Sequence, residues 1–103
     1  MTKIIDGKRY CTDSAKTIGK HWNNLSTSDF GWLNESLYKT DAGSYFLHGR
    51  GGPMTDYAVC EGNTTYGGCR IIPMTRAAAF AWAQTKLTVA EVEAEFADLI
   101  SEA

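Results

Sequence analysis

The chain has 103 residues, 44% of them apolar and 12% aromatic, with a net charge of -2. That is enough for one hydrophobic core and too little for two, so a single folded domain spanning residues 1–103 is expected. The charge argues against direct nucleic-acid binding, which needs a basic stripe to displace phosphate counterions, and no apolar run approaches the length of a membrane span.

The apolar run at Ile4-Ile5 ends at Asp6, which rules out a secretory h-region. The chain is therefore expected to stay in the cytoplasm where it is made, with Cys11, Cys60 and Cys69 as free thiols and a Cys60–Cys69 bridge as the alternative. Asp6-Gly7 between Ile4-Ile5 and Arg9-Tyr10 predicts a two-residue hairpin, because both central positions need positive φ. Thr12 then caps a predicted helix with Asp13 in its first turn and Ala15, Ile18 and Trp22 at helical spacing, ending near Asn23-Asn24. After a polar, turn-prone stretch, Leu37-Tyr38-Lys39-Thr40 and Tyr45-Phe46-Leu47-His48 flank Asp41-Ala42-Gly43-Ser44 as an antiparallel hairpin.

Gly49-Arg50-Gly51-Gly52-Pro53 reads as a tight turn, followed by a loosely structured stretch to Gly68. Cys69-Arg70-Ile71-Ile72-Pro73 reads as a strand stopped, or pushed to an edge, by its proline. Thr75 caps a helix reaching Leu87, with Phe80, Ala83 and Leu87 as its buried stripe. Thr88-Val89-Ala90-Glu91 spells a capping box for a second helix, whose core face carries Val92, Phe96, Leu99 and Ile100. The sum is an α+β fold: a small antiparallel β-sheet with an N-terminal helix and two C-terminal helices.

Charge is distributed unevenly. The first fifty residues hold seven Lys or Arg against five Asp or Glu, whereas five acids and no base follow Lys86. On one continuous helix Glu91, Glu95, Asp98 and Glu102 would project within roughly 60° of arc, away from the packing stripe. Such a row repels itself, and its outer acids oppose the helix dipole. It is a candidate ridge for docking on a basic protein surface, and reversing its four charges should then weaken binding while leaving stability nearly unchanged; a solvated helix face is the plainer alternative.

The glycine-rich segment lacks the Lys-Ser/Thr ending of a phosphate loop, leaving Arg50 as a candidate partner contact. No Cys or His pair has the close spacing of a zinc knuckle, and no Cys–His combination is singled out as a nucleophile, so no metal, cofactor or catalytic residue is assigned. Trp22, Trp32 and Trp82 fall on predicted core faces, and His48 reads as a structural histidine. Tyr45, Tyr57 and Tyr66 fall nearer loops, where exposed tyrosines serve as interface anchors.

Gly7-Lys8-Arg9-Tyr10 with Thr12 and Ala15, Leu37-Tyr38-Lys39-Thr40, Gly43-Ser44-Tyr45-Phe46-Leu47, Gly49 with Gly51-Gly52, Tyr57, Ile72-Pro73 and the Trp82 helix span nearly the whole chain. Together they resemble a family of small proteins of bacteriophages and other mobile elements that includes anti-CRISPR inhibitors of type I effector complexes. Members often carry an acid where this chain has Cys11. The resemblance implies a non-enzymatic inhibitor that binds a CRISPR-Cas effector subunit. Joined to the acidic row, it suggests a partial mimic of a phosphate backbone on that subunit's nucleic-acid-binding surface. Two rivals stand beside it: a small enzyme modifying a host factor, which would need residues such as His48, Asp29 or Glu35 to converge, and a mobile-element structural or regulatory protein unrelated to CRISPR.

Overall fold

In the computed structural model, which describes residues 1–103, Asp6 and Gly7 take φ of 51° and 75°. This is the double positive φ that a two-residue hairpin demands. The turn joins β1 (Thr2–Ile5) to β2 (Lys8–Cys11), with Ile5 opposite Lys8.

The expected N-terminal helix is absent, and its residues form β3 (Lys16–Trp22). Ala15, Ile18 and Trp22 have helical spacing but three separate destinations. Ala15 packs beneath the N-terminal hairpin, Ile18 packs on the helix side of the sheet, and Trp22 stays 54% exposed. The β-branched pair Thr17-Ile18 followed by Gly19 is a poor helix former, and the ladder to the next strand decides the matter. Thr12, the expected cap, instead ties down the chain start: its backbone N–H and its hydroxyl both donate to the Met1 carbonyl.

A four-stranded antiparallel sheet follows in the order β3-β4-β5-β8, with β4 Leu33–Lys39, β5 Tyr45–Gly51 and β8 Gly68–Met74. The expected hairpin around Gly43 is its centre, with Lys39 opposite Tyr45. Residues 49–51 are not a turn but the end of β5, which stays in register through Gly51. The stretch expected to be loose contains a third hairpin, β6 (Val59–Glu61) and β7 (Thr64–Tyr66), closed by Gly62-Asn63 with Gly62 at φ 61°. Both sheet edges are blunted. β3 carries Lys16, Lys20 and a register shift between Thr17 and Gly19, and β8 carries Pro73.

Helices α1 (Arg76–Lys86) and α2 (Val89–Phe96) are capped as expected by Thr75 and by the Thr88–Glu91 box. Helices this short are marginal alone and depend on docking. They cover one sheet face, where Leu37, Tyr45 and Leu47 meet Ala79, Ala83, Val92 and Phe96. On the opposite face Tyr10 from β2 packs on Phe46 and Ile71. Residues 45–47 are thus buried on both sides of the sheet, which accounts for their unbroken apolar run. Replacing Thr88 by Ala should cost about 1 kcal/mol in urea denaturation. An unchanged midpoint would show that packing alone holds α2.

The fold is therefore predominantly β, with 41% strand against 21% helix. The α+β description with an N-terminal helix is corrected accordingly. No helix is long and apolar enough to cross a membrane.

Candidate functional site

Where the four acids of the C-terminal row end up depends on α2 stopping at Phe96. A 3₁₀ turn, Ala97–Leu99, follows, so Asp98 and Glu102 do not continue the helical face, and Leu99 and Ile100, expected in the core, are 41% and 43% exposed. Glu91 is committed to the capping box, its carboxylate accepting from the Thr88 N–H at 3.1 Å and the Thr88 hydroxyl at 3.0 Å. The Glu95 side chain is only 8% exposed; it lies 3.1 Å from Lys39 Nζ and 3.8 Å from Lys16 Nζ, and it accepts the Tyr45 hydroxyl. Burial alone would raise its pKa, but the bond from Tyr45 and the two lysines hold it below the ordinary carboxylate value.

Asp98 takes a two-pronged bond from Arg76, 2.6 Å on each arm, which lowers its pKa as well. Three of the four acids are thus engaged inside the molecule. The continuous negative ridge drawn from helical spacing does not form.

The other expected contact residues separate. Tyr57 is 5% exposed and donates to Glu35, whose second oxygen accepts Trp82 Nε1 at 3.2 Å. Burial first, then the bond to Glu35, pushes the Tyr57 hydroxyl well above its ordinary pKa. The Arg70 guanidinium lies 5.4 Å from the Tyr57 ring centre. Tyr57 reaches this position only because Gly49 lies beneath it: a Cβ there would overlap the phenol ring. Tyr66 is 43% exposed on β7 and donates to Glu61 at 3.1 Å. Arg50 is exposed, with its guanidinium 5.4 Å from the Trp32 ring centre.

The residues an enzyme would need to bring together stay apart. Glu35 faces Gly49 across the ladder and His48 faces Ser36, so strand alternation puts Glu35 and His48 on opposite faces of the sheet. Asp29 caps its own loop, accepting the Gly31 N–H at 2.8 Å. No group of three His, Cys, Asp or Glu side chains is arranged to hold a metal ion.

What helical and strand patterning passed over is the end of the sheet where β3 stops, β4 starts, β5 stops and β8 starts. Trp22, Leu25, Phe30 and Met54 are 54%, 38%, 65% and 77% exposed there, with half-buried Trp32 among them. Trp22 and Trp32 are expected on core faces from their spacing, yet Trp22 is not in the core at all. Exposure of this kind usually marks a floppy loop, but here the backbone is tied down. Asn23 donates to the Gly31 carbonyl at 2.8 Å and accepts the Leu33 N–H at 3.0 Å. Trp22 Nε1 donates to the Leu25 carbonyl, and the Met54 N–H to the Phe30 carbonyl, both at 2.9 Å. Gly52 permits the last contact, since a Cβ there would run into the Phe30 carbonyl.

The available clue was Leu25 and Phe30 standing alone in a polar stretch without periodicity, where neither has a core to face. Comparison with protein-family models, with curated proteins and with solved structures returns no match. The function of the chain has therefore to be argued from the chemistry of this surface.

Proposed function

We propose that the protein is a non-catalytic inhibitor that binds a protein partner through the apolar end of its sheet. One observation carries this reading: large apolar side chains, Trp22, Phe30 and Met54 foremost, are held in water by a hydrogen-bonded loop framework. Apolar and aromatic groups that are already ordered lose little freedom on docking and supply the anchors of protein interfaces. A basic partner surface was the complement of the acidic row. With Glu95 and Asp98 neutralised from within, that complement is dropped and the docking element moves to the sheet end.

The resemblance to mobile-element proteins supplies the class of partner, a subunit of a type I CRISPR effector complex in the bacterial cytoplasm. Phe30→Ser with Met54→Ser removes two exposed side chains and should leave the melting temperature unchanged. The same double variant should weaken binding to the purified effector by at least about tenfold, and should abolish the plaquing advantage on CRISPR-positive hosts only. Full binding by this variant would move the contact surface elsewhere. Equal plaquing of wild type on CRISPR-positive and CRISPR-negative hosts would remove the effector as partner.

A further inference from the structure

We infer that the sheet face around Arg50 is a receptor for carboxylate side chains on an acidic segment of the protein partner. The inference rests on the neighbouring sheet end being a protein-docking surface, and it names the chemistry of what docks. His48 and Arg50 lie two residues apart on β5 and so share a face. The ladder places Lys20, Ser36 and His48 in one row across the sheet, and Trp22, Asn34, Arg50 and Cys69 in the next. Neither row contains a carboxylate, because Glu35 alternates to the other face. Between Trp32, His48, Arg50 and Cys69 lies an open cleft of about 520 Å³, also without an acid in its lining.

The ion pairs of the chain are made by Lys16, Lys39 and Arg76, and Arg50 is one of the cations that make none. Its guanidinium lies instead against the Trp32 ring, a contact that orders the side chain while consuming none of its N–H donors. A planar fork held in place with its edge free matches a carboxylate in two-pronged geometry and loses little entropy on binding it. The local field agrees: burial first, then the charges of the N-terminus and Arg50, lower the pKa of His48, as expected where positive charge has no internal counterpart. A nucleic-acid backbone fits less well. Lys20 and Arg50 are the only permanent side-chain cations in these two rows, and Asp29 and Asp56 stand in the loops at the same sheet end, whereas phosphate binding grows with the number of phosphates neutralised.

The test uses the whole isotope-labelled protein and a short acetylated peptide of alternating glutamate and leucine, with its glutamine counterpart and a thymidine oligonucleotide as the other arms. The glutamate peptide should shift the Trp32 indole and His48 resonances saturably and bind at least about tenfold more tightly than the glutamine peptide. Arg50→Gln should erase that difference with no change in melting temperature, and added salt should shrink it. Equal binding of the two peptides, no saturable shift, or tighter binding of the oligonucleotide would each overturn the carboxylate receptor. The peptide experiment is independent of the effector. If it fails while the Phe30 and Met54 substitutions still abolish effector binding, the docking surface stands and only its acidic partner chemistry falls.

Discussion

Glu95→Lys is expected to destabilise the fold by about 3 kcal/mol, the low end for breaking a buried charge pair, because Lys39 keeps 37% of its side chain exposed. The substitution would gather three ammonium groups around the Tyr45 hydroxyl, in a site where the native carboxylate is 8% exposed. This reverses the expectation that charge reversal along the row is harmless. Urea denaturation of the single variant is the check, and a loss under about 0.5 kcal/mol would mean that the network contributes nothing.

The same group gives a pH signature. Its folded pKa is depressed, so its stabilising contribution is complete above the unfolded glutamate value of about 4.3 and disappears as pH falls through the lower folded value. Lys39 is shifted the other way by its bond to Glu95, so its share is complete below the unfolded lysine value and is lost only when pH rises through the higher folded one. Between these limits the contribution of the Glu95–Lys39 pair should be constant, and below them wild type should lose more stability than Glu95→Gln.

Gly49→Ala should cost about as much by a different route. The new methyl would occupy the space of the Tyr57 ring, forcing strain on β5 or expelling the phenol and leaving Glu35 with Trp82 as its remaining side-chain donor. Overpacking costs about 1–3 kcal/mol, and the lost partner of the half-buried Glu35 adds to it. Because both routes pass through Tyr57, the double variant with Tyr57→Ala should be less damaged than the sum of the singles, by at least about 1 kcal/mol. Simple additivity in chemical denaturation would show that Gly49 is needed for some other reason.

What could be read from the residues was what neighbours in the chain decide between themselves. The Asp6-Gly7 turn, the Gly43 hairpin, the Thr75 cap and the Thr88–Glu91 box each close within a few residues, and each is where its local chemistry puts it. The failures are non-local. Ala15, Ile18 and Trp22 satisfy a helical period by coincidence, and only strand pairing and tertiary packing show that they have separate destinations. The charge of the C-terminal face could not be read from a helical projection, because Lys39 is 56 residues from Glu95 in the chain. Arg50, Tyr45, Tyr57 and Tyr66 are all of residue types suited to surface contacts, yet tertiary packing buries Tyr45 and Tyr57 and leaves the other two exposed. Equating tryptophan with core hides the sheet end where Trp22 meets solvent.

The blunted strand edges bear on how this molecule can meet others. An open edge is a template on which a second chain can lengthen a sheet without limit, the route to fibrils. Here the bulge and lysines of β3 and the proline of β8 obstruct that growth on both sides. A chain that displays Phe30 and Met54 to water can therefore adhere through those side chains, while open-ended growth of its four-stranded sheet along the hydrogen-bonding direction is obstructed.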